Sequence, residues 1–218
     1  MDNIINDIVT CQNVLFEERN FTTPIKKYHQ CYPLALCIGS AFTAHNVSTK
    51  LKGGIVLIER AGFKNRIPSI HIWIEYADNF STIYADPTYI QYKTDTPTDD
   101  KITLDGVLSR HFNYKIVENS IVDIPPSEDE LKFSNRLIEL QYYQKISLAE
   151  AIQLISNEFD LSTISFNGNE AYAYGCANEG KTSLLAYYNK LISNVQKEVP
   201  GTQVSQYLES QKLHYIFK

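Results

Sequence analysis

Cys31, His71 and Asp86 are residues of the types that a thiol-based attack on a carbonyl requires, in the order nucleophile, base, orienting acid. A thiol attacks an amide only as the thiolate, a form favoured by a neighbouring imidazolium and by a helix N-terminus. Cys31 leads into YPLALCIGSAF, residues 32 to 42, which is apolar almost all round and reads as a buried helix. Pro33 is tolerated only in a first turn, so the helix must begin at about Cys31 or Tyr32. Cys31 then stands at the positive helix end, where free N–H groups stabilise a thiolate and a tetrahedral oxyanion. Gln30, next to it, is a candidate for that oxyanion hole.

The base and the acid come from strands. SIHIWIEY, residues 69 to 76, alternates, which puts His71, Trp73 and Glu75 on one face and Ile72, Ile74 and Tyr76 on the other. His71 is therefore expected to face a different layer from the isoleucines, that of the Cys31 helix. Asp86 closes STIYAD, residues 81 to 86, just before Pro87. With the turn Ala77-Asp78-Asn79 between them, the two runs read as a hairpin that brings Asp86 to His71. The carboxylate is expected to accept from the imidazole Nδ1–H and fix its tautomer. Trp73 and Glu75 are expected to support the site rather than to do chemistry.

Each residue also has a plainer reading. A cysteine in an apolar segment is usually a small core residue. Cys37, well inside the helix, fits that description. A histidine on a strand is usually a hydrogen-bonded structural one, and an Asp before Pro is usually a turn residue. The case for Cys31, His71 and Asp86 is their joint order on helix, strand and strand. A zinc site is not expected, since the spacing of His29, Cys31 and Cys37 matches no structural zinc pattern.

The rest of the chain must position these groups. Residues 2 to 16 read as an amphipathic helix capped by Asp2, with residues 21 to 29 as a loop. GGIVLIE, residues 53 to 59, reads as a further strand. Residues 87 to 101 read as a surface loop, and residues 104 to 124 as a short helix and a strand ending at Ile124. Pro125-Pro126 marks the clearest boundary. Two capping boxes follow: Ser127-x-x-Glu130, opening a helix to about Tyr143, and Ser147-x-x-Glu150, opening one to about Phe159. A strand is expected over residues 161 to 166, a turn at Asn167-Gly168-Asn169, and a last helix from Thr182 to Glu198. The expected organisation is a core over residues 1–125 and a mostly helical region over residues 126–218, completing the same globule or forming a lid.

Gln30-Cys31 at a helix start, His71-x-Trp73-x-Glu75 on a strand and Asp86-Pro87-Thr88 ending the next resemble the transglutaminase-like superfamily. The resemblance covers roughly residues 25 to 92. Relatives more often carry Trp after the cysteine, where this chain has Tyr32. The resemblance implies an α+β, papain-like fold with the nucleophile helix packed on an antiparallel sheet. It implies Cys31 as nucleophile, His71 as base and Asp86 as orienter, without a cofactor. Transglutaminases, proteases, amidases and peptide glycanases share that chemistry, so it implies a cysteine hydrolase or acyltransferase working on amide bonds of a protein or peptide through a thioester. Hydrolysis or deamidation is favoured over amine transfer, because no dedicated amine site is legible.

Gly175-Cys-Ala-Asn-Glu-Gly180-Lys181-Thr182 matches the phosphate-loop pattern in full, so a nucleotide-binding protein is the rival reading. Its context argues against it. EAYAY is a poor preceding strand, and the residues after Thr182 are too few and too helical for the parallel sheet that should follow. A catalytically inactive module that keeps the fold is the other alternative. The 218 residues carry 20 Lys and Arg against 25 Asp and Glu, net −5, with no basic run, which argues against nucleic acid. The four cysteines are too few for a disulfide scaffold. The N-terminal residues lack a signal-peptide pattern, and no apolar run is long enough to span a bilayer. These features lead to the expectation of a cytoplasmic protein with free thiols and no membrane partner.

Overall fold

A computed structural model describes residues 31–58, 64–78, 81–86, 114–158 and 168–198. The chain order is helix α1 (Cys31–Ala44), strands β1 (Thr49–Ile58), β2 (Ile67–Asp78), β3 (Ser81–Ala85) and β4 (Tyr114–Ile116), a 3₁₀ turn (Glu118–Ser120) and strand β5 (Val122–Ile124). Helices α2 (Glu128–Ile138), α3 (Leu148–Glu158), α4 (Gly168–Asn178) and α5 (Ser183–Glu198) complete it. The protein is thus α+β, with helices on an antiparallel sheet. The expectations for residues 2 to 16, 21 to 29, 87 to 101 and 161 to 166 lie outside the described residues, as does Gln30.

Helix α1 begins at Cys31, and Pro33 falls in its first turn. Tyr32, Ala35, Leu36, Ile38, Ala41 and Phe42 are all buried. They join one core with the β2 face carrying Ile70, Ile72, Ile74 and Tyr76, with Phe42 stacked on Tyr76 at 4.8 Å between ring centroids. The helix ends where Asn46 adopts φ 61°, with Asn46 N–H bonded to Thr43 O and Val47 N–H to Phe42 O. That is a left-handed C-terminal cap, a role Asn fills at low cost.

The sheet runs β3-β2-β1-β4, with β5 also paired to β1. Strand β1 starts at Thr49, earlier than the expected Gly53, because Thr49-Lys50-Leu51-Lys52 pairs in register with Tyr76 back to Trp73. β4 and β5 share the other side of β1, and the 3₁₀ turn interrupts them. The interruption removes a strand partner from Ile55 N–H, and the Ser120 hydroxyl takes its place at 2.8 Å. Ser120 Oγ in turn donates to Val117 O at 2.6 Å, and Ser120 O accepts from the Tyr172 hydroxyl of α4 at 2.8 Å. Ser120→Ala orphans a buried amide, so it should lower unfolding free energy by about 1–3 kcal/mol in urea denaturation.

The C-terminal helices pack on the same core. Phe133, Leu137 and Leu140 join it from α2 and the π turn Glu139–Tyr143, Ala151 and Ile155 from α3, Ala171, Tyr172 and Cys176 from α4, and Tyr188 and Val195 from α5. The buried polar atoms of α1 meet this region: Tyr32 OH donates to Ser127 Oγ at 3.0 Å and Ser134 Oγ to Ser40 Oγ at 2.9 Å. The Ser147 capping box is half visible, as Glu150 N–H donates to Ser147 Oγ at 3.3 Å.

Asn167-Gly168-Asn169 reads as a turn, yet Gly168 and Asn169 are the buried first residues of α4. Burial of Ala171, Tyr172 and Cys176 against β1 and β5 outweighs local turn preference. Among the described residues no helix is long and apolar enough to cross a membrane.

Candidate functional site

Asp86, immediately after β3, lies beside His71 as the hairpin reading expects. β3 pairs with β2 from Ser81↔Asp78 to Ala85↔Ile74, and Asp86 follows at the level of Trp73, on the His71 face. Both side chains are fully buried. The contact is His71 Nε2 to Asp86 Oδ2 at 2.6 Å. This corrects the expected use of Nδ1: the ring is turned so that Nε2 faces the carboxylate, which leaves Nδ1 as the nitrogen for the thiol. Which nitrogen points back along the hairpin is a side-chain rotamer, set by the surroundings and not by strand alternation.

Cys31, the first residue of α1, is 6% exposed, and its thiol is near enough to His71 to favour the imidazolium. The route between them differs from the expected one. Helix α1 covers the isoleucine face of β2, since that is the face whose burial removes apolar surface from water. His71 is on the opposite face. At His71 the described sheet has a strand, β1, on one side of β2 only, because β3 pairing stops at Ile74.

Two further side chains frame the ring. Trp73 lies 28° from parallel to it with centroids 6.3 Å apart, and Tyr114 meets it edge-on at 73° and 5.2 Å. The Tyr114 hydroxyl also donates to Asp86 Oδ2, at 2.5 Å. The indole lies over Gly54, the residue paired with His71: a Cβ there would stand 2.7 Å from Trp73 Cη2. Gly168 closes the other side, since a Cβ on it would stand 2.7 Å from Cys31 Sγ. Helix α4 therefore contributes a wall to the thiol, and the region after Pro126 is in contact with the site.

The electrostatics follow from this enclosure. Burial by itself disfavours the imidazolium. The Asp86 charge and hydrogen bond, with a smaller contribution from Cys31, outweigh it and raise the His71 pKa from 6.5 to about 9. The folded state thus binds this proton more tightly than the unfolded chain does. The resulting stabilisation is fully present below pH 6.5 and is lost as pH rises through about 9. Urea denaturation across pH 6.5 to 9 should show stability falling, by roughly 3 kcal/mol at most from the 1.36 kcal/mol per pKa unit. The fall should be largely absent in Asp86→Asn.

The other expected residues separate. Trp73 supports the ring as described, and its Nε1 finds no hydrogen-bond acceptor among the described residues. Glu75 is not at the thiol. Its carboxylate pairs with Lys52 at 3.5 Å, and Lys52 also binds Asp123, so Glu75 belongs to an ion-pair cluster across the sheet. The alternation carrying His71 also carries Glu75, but Glu75 is four residues further along the strand, about 13 Å away, too far to share the thiol. Tyr114 is the residue that sequence reasoning misses: it is one of 15 tyrosines, in a segment of ambiguous pattern, on a three-residue strand. The Gly53-Gly54 pair inside a strand is a usable signal for a close approach by another group.

The Gly175–Thr182 segment is not a strand, loop and helix. Gly175 lies on α4, where a Cβ would stand 2.8 Å from Asp123 O. Gly180, at φ 66°, ends the helix, with Gly180 N–H on Ala177 O and Lys181 N–H on Cys176 O. This is the two-bond glycine cap of a helix C-terminus. Lys181 Nζ binds Glu179 at 2.6 Å, and Glu179 accepts from Asp123 N–H at 2.6 Å. Both glycines thus have structural reasons to be there, one for packing and one for the cap.

No family model, no curated protein and no solved structure matches the chain. The functional reading therefore stands on the geometry and on the motif resemblance.

Proposed function

We propose that the chain is a cysteine-dependent acyl-transfer enzyme with a transglutaminase-like, papain-like core, acting on amide bonds of a protein or peptide through a thioester. The observation that carries this reading is a single buried cluster in which Asp86 holds His71 at Nε2 and the thiol of Cys31, at the start of α1, is near enough to favour the imidazolium. Neither a packing cysteine nor a structural histidine calls for the whole arrangement.

In the mechanism, the Cys31 thiolate attacks the amide carbonyl carbon, and N–H groups at the start of α1 face the developing oxyanion. His71, as imidazolium, gives its proton to the departing amine while Asp86 holds the ring. The products of this half are an acyl-Cys31 thioester and a free amine or ammonia. His71 then takes a proton from water as the water attacks the thioester, which releases the acid and restores the Cys31 thiolate and the His71 imidazolium. Because His71 must start protonated, kcat/KM should fall on the alkaline side near pH 9. The test is a panel of glutamine-, asparagine- and backbone-amide peptides, followed by ammonia release and by mass. A +1 Da product dependent on Cys31 supports deamidation, a cleaved peptide supports proteolysis, and no Cys31-dependent product from any of them contradicts the reading.

A further inference from the structure

Tyr114 occupies a position that neither the candidate triad nor the sheet accounts for. It stands on β4, at one edge of the order β3-β2-β1-β4, whereas Asp86 follows β3 at the opposite edge. Its hydroxyl nevertheless reaches Asp86 Oδ2, the same oxygen that holds His71 Nε2. We propose that Tyr114 is a positioning residue of the site, which acts through Asp86 to fix the His71 ring with its second nitrogen toward Cys31. The inference rests on the function proposed above for its catalytic consequence, but not for its physical one.

Two donors from different strands on one carboxylate oxygen define the rotation of that carboxylate far better than one does. A carboxylate free to turn about Cβ–Cγ would let the imidazole tip, and would spoil the line from Nδ1 to the thiol. The hydroxyl also draws charge from Oδ2, which moderates the attraction of Asp86 for the His71 proton. Among the described residues the titratable groups that act on the ring are Asp86 and Cys31, with Tyr114 at its edge and the non-titrating Trp73 beside it. Loss of the hydroxyl should therefore tighten the proton on His71 and loosen the geometry, two effects that plain packing does not produce.

Tyr114→Phe removes the hydroxyl and keeps the aromatic ring against His71 and its packing on Val56 and Ile58. The experiment uses the full chain labelled with ¹⁵N-histidine, and follows the His71 ring signals against pH together with the pH profile of Cys31 alkylation by iodoacetamide. Neither readout needs a substrate. The expected result is a His71 midpoint moved to higher pH by about half a unit or more, with alkylation slowed roughly tenfold at neutral pH and a fold that still unfolds cooperatively. An unchanged midpoint together with an unchanged alkylation rate would overturn the proposal, even if the wild-type enzyme is active on amides. Should the variant unfold, Tyr114→His, which keeps a ring and a donor, must restore the fold and keep alkylation within about threefold of wild type; failure to do so also overturns it. If the midpoint moves in a protein with no amide-directed activity, the positioning role stands and the proposed function fails.

Discussion

Asp86→Ala should leave the protein close to unfolding at neutral pH. The substitution removes the counter-ion of a histidine that is fully buried, and removes an acceptor used by Tyr114. Taking one partner from a buried ion pair costs about 3–5 kcal/mol, since the remaining charge must be neutralised or left unpaired. Whole-domain stability is itself only about 5–15 kcal/mol, so a large share of it is at stake. His71 should respond by losing its proton, which shifts its titration below that of wild type. Double replacement, Asp86→Leu with His71→Leu, removes both polar groups and should recover part of the loss. Urea denaturation at pH 7 reads all three proteins. A loss under about 1 kcal/mol for Asp86→Ala would mean that the pair is not held as described.

The second large effect belongs to His71. His71→Ala should slow iodoacetamide labelling of Cys31 at pH 6 by at least about tenfold and lower kcat/KM on any amide substrate by about a thousandfold or more. The thiolate loses its counter-ion, and the leaving amine loses its acid. Cys176 provides an internal comparison. It is also buried, and there burial, only partly offset by the Tyr172 hydrogen bond, pushes the thiol up from its ordinary range. Cys176 should therefore label slowly in wild type and in His71→Ala alike. Timed pulses followed by peptide mapping separate the thiols. Equal labelling of Cys31 in the two proteins would show that the imidazole does not activate it.

The parts of this site readable from sequence are those dictated locally. The helix start at Cys31 follows from Pro33 and the apolar run behind it, and the His71 strand and its hairpin to Asp86 follow from alternation around a short turn. What could not be read depends on packing between distant segments. Strand alternation places His71 opposite Ile72 but does not say which of the two faces the helix covers; the isoleucine face wins because it is the more apolar. The ring orientation, Nε2 rather than Nδ1 on Asp86, is a rotamer. Tyr114 arrives across the sheet from a strand of three residues, too short to carry a pattern. Gly168 reads as turn chemistry, whereas its place under the Cys31 sulfur comes from docking of α4. Both glycines of the phosphate-loop-like run serve structure, one packing and the other helix capping, functions that the pattern alone does not distinguish.

The central claim is that Cys31 forms a thioester with an acyl group taken from an amide. The most direct measurement is intact-mass and peptide-level mass spectrometry of the full chain quenched in acid during reaction with a pool of glutamine-containing peptides. An acyl adduct on Cys31 is expected, released by neutral hydroxylamine as the hydroxamate, absent in Cys31→Ala and strongly reduced in His71→Ala. An adduct on another cysteine, or one that survives in Cys31→Ala, would contradict the account.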